Sequence, residues 1–256
     1  MQIDRKHVQQ TFAAYVKNYD DTDQKIKLKI DHTYRVAALC EQIAKTQGLS
    51  EEEAELSWLS GMLHDVGRFE QLKKYQTFND AESVDHAQYG ADILFVQGKI
   101  RDYTSEDAED ALLEKVIRLH NVYRLPEDTS PREKIFCDIL RDADKIDILK
   151  VNVEIPAEEI YNVTIKELRN AEVTDEVLEN LREHHAILRS LKRTAIDNLV
   201  GHISFVYEIV YPVSLQLVKE QGYLTQMINF QSDNKKTQRQ FAEIRKQVET
   251  YLEAHS

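Results

Sequence analysis

Cysteine, glycine and proline are scarce in this chain of 256 residues, which has two, seven and four of them. So few turn-forming residues argue against a turn-rich all-β fold. The two thiols, Cys40 and Cys137, sit in the apolar runs AALC and IFCDIL, so they are expected to be buried and reduced rather than joined in a disulfide framework. No uncharged run is long enough to span a bilayer, and the opening MQIDRKHVQQ lacks the apolar stretch of a secretion signal. The expected location is the cytoplasm, with no membrane partner. Positive charge is also in deficit: 33 Lys and Arg against 45 Asp and Glu leave a formal net charge of −12. Such a surface repels polyanions at long range, so no nucleic-acid polymer is expected as a partner. A small phosphorylated substrate stays compatible, because a bound cation reverses the field inside a pocket.

A 42% share of hydrophobic residues is enough for a substantial core. Their spacing follows a helical period. Helices are expected at about 5–18, 25–45 and from an N-cap at Ser50 through WLSGMLHD, with an interruption near Gly67. Further helices are expected from about Val84 to Gly98, over 105–120, and from Pro131 through REKIFCDILRDADKIDIL. Residues 72–84 read as a loop, and 151–175 as irregular, with room for a short strand or turns. Helical spacing returns at about 175–192, 194–222 and 234–253. The expected organisation is a main helical domain over 1–222 and a C-terminal helical extension, 223–256, docked on it. An apolar face on the last helix would serve either that docking or a homo-oligomer contact.

Several polar residues interrupt apolar faces. His32 shares its face with Val36, Leu39 and Ile43, and His120 follows Leu113, Val116 and Ile117. His86 lies with Gly90 and Ile93, and Asp144 stands four residues from Leu140 and from Ile148. One histidine on an apolar face is ordinarily a buried neutral imidazole with a hydrogen-bond partner. A buried carboxylate is harder to accommodate, because it needs a cation, an N–H cluster or a metal to offset its desolvation. Arg141 and Lys145 are the nearby cations that would give Asp144 an ordinary partner. His64–Asp65 adds a second imidazole and carboxylate, a donor pair suited to Mn, Fe, Co, Ni or Zn. Ser57, Ser60 and Gly61, just before it, would let this helix pack closely on the one bearing His32.

With these residues in view, the sequence resembles the HD-domain superfamily of metal-dependent phosphohydrolases. The likeness rests on His32 in IDHTYRVAAL, His64–Asp65 in SGMLHDVGRF and Asp144 in ILRDADKIDIL, and covers about residues 26–150. It implies an all-α fold, an HD-type helical bundle with additional C-terminal helices. Members with two further histidines bind a second metal, and His86 and His120, 22 and 56 residues beyond His64, occupy that order. The resemblance therefore implies one or two divalent ions (Mn, Fe, Co, Ni, Mg or Zn). In that reading Asp65 bridges, His32, His64 and Asp144 complete one ion's ligands, and His86 and His120 hold the other. The branch that cleaves cyclic dinucleotides carries Gly-Tyr-Pro where this chain reads HNVYRLPED, which argues against that substrate. The deoxynucleotidase branch has Glu three residues after the HD Asp, where this chain has Arg68.

The expected activity is hydrolysis of a phosphomonoester or phosphoanhydride in a small phosphorylated metabolite or nucleotide, through metal-activated hydroxide. Asp65, Arg68 and Lys145 are the expected catalytic residues, with Arg68 as a phosphate clamp; its ordinary alternative is a salt bridge to Glu70 or an outer carboxylate. Two other readings share the ligand set: a diiron oxygenase of the same superfamily, and a metal-stabilised regulatory domain without catalysis.

Overall fold

The computed structural model describes residues 1–20 and 22–255. Among them there is no strand, and the chain is all-α. Two compact units divide it, Met1–Ala143 and Asp144–Ser256.

The first unit runs through α1 (Arg5–Val16), α2 (Gln24–Thr46), α3 (Glu51–Leu63), α4 (Val66–Tyr75), α5 (His86–Ala91), α6 (Asp110–Leu119) and the first half of α7 (Pro131–Glu154). Its centre is α3, which buries residues on every side, among them Leu56, Trp58, Leu59, Met62 and Leu63. Ser50 caps α3 by accepting from Glu53 N at 3.2 Å, and the Glu53 carboxylate accepts from Ser50 N in return. This reciprocal box satisfies two N–H groups that would otherwise be orphaned and stabilises the helix start by about 1 kcal/mol. Helix α2 packs along α3 through Val36, Ala37, Cys40 and Ile43. The approach is as close as the small residues around 57–61 lead one to expect. A Cβ at Gly61 would lie 2.6 Å from Ala37 Cα. Both cysteines are buried, and neither is in a disulfide.

Helix α3 stops after Leu63, earlier than the expected break near Gly67. Gly67 lies in the first turn of α4, where a Cβ would meet His86 O at 2.3 Å, so this glycine lets α4 and α5 touch. Helix α4 runs on to Tyr75, into the stretch expected to be a loop, and ends on Gln76 in the left-handed region at φ 58°. The expected helix from Val84 begins at His86, capped by Asp85, and widens into a π turn at Asp92–Val96.

The second unit holds the rest of α7, then α8 (Ala157–Tyr161), α9 (Ile165–Asn170), α10 (Asp175–Arg182), α11 (Ala195–Ile203), α12 (Pro212–Gln221), α13 (Tyr223–Ile228) and α14 (Lys235–His255). Its core gathers Val173, Val177, Leu181, Ile196, Val200, Phe241, Ile244 and Val248. Each such side chain contributes about 1.5–3 kcal/mol when removed from water. The stretch 151–175, read as irregular, is the end of α7 and two short helices, the second held by a capping box between Thr164 and Glu167. The helix expected over 194–222 is broken. Helix α11 passes into a 3₁₀ turn at Ser204–Glu208, and α12 starts afresh with Pro212 at its head. Proline supplies no N–H to a preceding turn and pushes the residue before it to extended geometry, as Tyr211 shows at ψ 136°. The helix expected over 175–192 ends at Arg182, and His184 takes a positive φ of 57°. Helix α14 packs on α10, α12 and α13.

Candidate metal centre

Four elements of the first unit bring five side chains together. His32 lies on the apolar face of α2, and His64 and Asp65 form the turn between α3 and α4. His86 opens α5, and His120 follows the last residue of α6. All five are withdrawn from water, with exposures of 1%, 0%, 2%, 3% and 4% in chain order. Asp65 occupies the position before α4 where an Asp ordinarily caps the helix, yet its side chain makes no capping bond. The carboxylate points into the cluster instead.

Its two oxygens face different pairs of rings. Oδ2 lies 3.6 Å from His32 Nε2 and 3.5 Å from His64 Nε2. Oδ1 lies 3.5 Å from His86 Nε2 and 3.9 Å from His120 Nε2. Within the pairs, the Nε2 atoms of His32 and His64 are 3.4 Å apart, and those of His86 and His120 are 3.0 Å apart. One ligand atom from each of His64, Asp65 and His120 falls within 4.8 Å of the others.

The other ring nitrogens settle what these contacts are. His64 Nδ1 donates to Gly61 O at 2.7 Å, and His120 Nδ1 donates to Ile117 O at 2.7 Å. A carbonyl only accepts, so both Nδ1 atoms carry hydrogen and both Nε2 atoms present lone pairs in the neutral ring. His86 Nδ1 donates to Asp80 Oδ2 at 2.7 Å, and burial first, then Arg68, pulls this imidazole down to about 3, so it too is neutral near pH 7. The 3.0 Å approach of His86 to His120 is thus lone pair against lone pair. Two buried acceptors and a carboxylate in this arrangement fit a cation between them, and imidazole and carboxylate are the donor types that divalent transition metals take.

Burial alone would raise the Asp65 carboxyl, but the fields of Lys29 first and of Arg68 oppose it, and the group is held well below the ordinary carboxylate range. Lys29 Nζ donates to Asp65 Oδ2 at 2.7 Å.

Residues 30–149 match the HD domain family, just under half of the chain. Over that stretch the chain is similar to the HD domain family. Its domains are in general those of metal-dependent hydrolases. No curated protein and no solved structure matches the chain.

Within the HD domain the remaining expected residues fall as follows. Asp144 is half-buried on α7 and opens the second unit, next to buried Lys145. Arg68 is held by protein partners. Its Nη1 donates to Gln71 Oε1 at 2.9 Å, Phe78 O at 2.7 Å and Asp80 Oδ1 at 2.8 Å. Its Nε is buried without a hydrogen bond, 3.7 Å from Asp65 Oδ1. Asp80 is thus the outer carboxylate of its ordinary alternative, while Glu70 accepts from Tyr19 OH. A cleft of about 800 Å³ opens in the same unit, lined by Tyr15, Tyr19, Glu70 and Tyr103 among others, but none of the five clustered residues lines it. Donor chemistry, rather than cavity size, locates the centre.

Three positioning residues escaped the sequence reading. Lys29 holds Asp65, but in the run KIKLKID nothing distinguishes it from Lys25 and Lys27. Asp80 orients His86 and anchors Arg68, from a loop whose geometry no periodicity conveys. Arg141 donates to Leu119 O, His120 O and Val122 O at 3.2, 3.3 and 2.5 Å, pinning the turn that carries His120. Its apolar helical setting suggested only a partner for Asp144.

Proposed function

We propose that the cluster is a dimetal centre that hydrolyses a phosphomonoester or phosphoanhydride bond in a small phosphorylated metabolite or nucleotide. The observation that carries this reading is the division of Asp65, one oxygen to His32 and His64 and the other to His86 and His120. A carboxylate placed so is suited to bridge two ions, each with its own imidazole pair. The proposed ligands are His32, His64 and Asp144 for one ion and His86 and His120 for the other, with Asp65 between.

When bound, divalent ions lower the pKa of water and offset charge on phosphoryl oxygens. The chain's own residues set the stage for that chemistry. Asp80 and the carbonyls of Gly61 and Ile117 hold three rings in the tautomer that presents Nε2. Arg68, locked through Nη1, keeps Nε as the donor with which it would engage a phosphoryl oxygen, and Lys145 is the proposed second contact. The small substrate, the absence of a polymer or membrane partner and a cytoplasmic location belong to the same proposal. No helix among the described residues is long and apolar enough to cross a membrane.

The test is metal analysis of anaerobically purified protein, then a screen of phosphorylated metabolites with Mn, Fe, Co, Ni and Mg. D65A is expected to lose bound metal and nearly all phosphate release together. Full metal occupancy with retained turnover in D65A would end the assignment. Iron-dependent oxygen consumption without anaerobic phosphate release would transfer the centre to oxygenase chemistry.

A further inference from the structure

We propose that the cleft lined by α1, α4 and α5 in the first unit binds the primary ammonium group of a small organic amine. The site is separate from the metal centre and does not rest on the activity proposed there.

The cleft holds about 800 Å³, the size of a small-molecule site, over an apolar floor of Val66, Ile93 and Leu94. Tyr15 and Tyr19, one turn apart on α1, line it with Glu70 of α4. Their ring centroids are 5.3 Å apart, and both rings pack on Phe69, which fixes where the hydroxyls stand.

These polar groups are short of hydrogen. The Tyr15 hydroxyl oxygen lies 2.9 Å from Val66 O and 2.9 Å from that of Tyr19, which in turn lies 2.7 Å from Glu70 Oε1. Burial raises both phenols above their ordinary range, so each keeps its one hydrogen near pH 7. Three short contacts therefore share two hydrogens. If Tyr15 gives its hydrogen to Val66 O and Tyr19 gives its own to the carboxylate, the two phenol oxygens face each other as acceptors. Glu70 is half-buried, yet it makes no ion pair with a described residue. The other charges along the cleft are answered or outside. Lys99 stands 3.4 Å from Asp102, and Lys73 is exposed, its Nζ 5.3 Å from the centre of the Tyr19 ring.

An ammonium group answers this arrangement. It brings three hydrogens, a positive charge and no acceptor, so it can donate to Glu70 and to the phenol oxygens together. Tyrosine ring faces attract the same charge. The hydroxyls of Tyr89 and Tyr103 also line the cleft and make no hydrogen bond with a described residue, although Tyr103 is only 5% exposed. Both remain as further acceptors, and the apolar floor suits a hydrocarbon body.

The probes share one such body: phenethylamine, L-phenylalanine and hydrocinnamate, titrated calorimetrically into the full chain at constant ionic strength. Saturable heat is expected from the two ammonium compounds and not from hydrocinnamate, which carries only the carboxylate. Tighter binding of phenethylamine assigns the site to a simple amine, and tighter binding of phenylalanine assigns it to an amino acid; either supports the site. E70Q keeps the shape, removes the charge and supplies the missing hydrogen from its own amide, so it is expected to weaken both about tenfold or more. A14W fills the cleft from an exposed position on α1 and is expected to abolish binding. No saturable heat from either ammonium compound, equal affinity for hydrocinnamate, or unchanged affinity in folded E70Q or A14W overturns the site.

Discussion

The contact between Lys29 and Asp65 offers the sharpest perturbation. Lys29 Nζ stands 2.7 Å from a carboxylate oxygen that is 3% exposed and is the proposed bridge between ions. At an effective dielectric near 20 and this separation, the direct attraction is about 6 kcal/mol. Removing one partner of a buried pair costs about 3–5 kcal/mol, because the survivor is left charged and desolvated. Lys29 keeps 17% exposure and imidazoles also surround Asp65, so K29M is expected at the low end, about 3 kcal/mol. For a chain of this size that corresponds to a fall in Tm of roughly 6–12 °C. The loss should appear in metal-free protein and shrink once a divalent ion supplies the counter-charge. Metal should also bind K29M more tightly than wild type, since no ammonium competes for Oδ2. Calorimetric melting of chelator-treated and Mn- or Zn-loaded protein reads both effects. Equal losses of Tm with and without metal would refute the idea that lysine and cation answer the same carboxylate.

Three further outcomes are expected. D80N should lower metal affinity by about 10–100-fold in a titration, because His86 loses the carboxylate that fixes its ring; unchanged affinity would remove Asp80 from that role. G61A places a Cβ 2.6 Å from Ala37 Cα and should cost about 3 kcal/mol while parting His32 from His64, so Tm and metal content should fall together in denaturation and metal assays. His202 has its imidazole pushed down to about 3 by burial, with Lys192 and Arg189 adding to it. Its folded value lies below the unfolded one, so it contributes stability above about pH 6.5 that is lost as pH falls toward 3. H202Q should flatten that part of the stability curve by about 1–3 kcal/mol in phosphate-free, metal-free buffer, and an unchanged acid limb would contradict the account.

Local chemistry made much of this chain legible before its fold was known. The α-helical class follows from spacing, the start of α3 from Ser50 and Glu53, the start of α7 from Pro131, and the buried face of His32 from Val36, Leu39 and Ile43. These features depend on residues within a turn or two of each other, which is the range over which capping and periodicity act. Where local signals were weak, the reading was coarse. The two short helices of 157–170 and the break of 204–211 turn on packing and on Pro212, not on apolar spacing.

Tertiary structure alone decided how the five polar residues meet. That Asp65 offers one oxygen to each pair of rings, that Arg68 turns to Asp80 rather than Glu70, and that Lys29 is the lysine at the carboxylate are all facts about residues that, adjacent His64 aside, stand 12 to 55 positions apart in sequence. Side-chain identity states what a residue can bind. Only the crossing of helices, fixed here by contacts as close as Gly61 on Ala37 and Gly67 on His86, states what it does bind, because an ångström at those crossings moves every lone pair in the cluster.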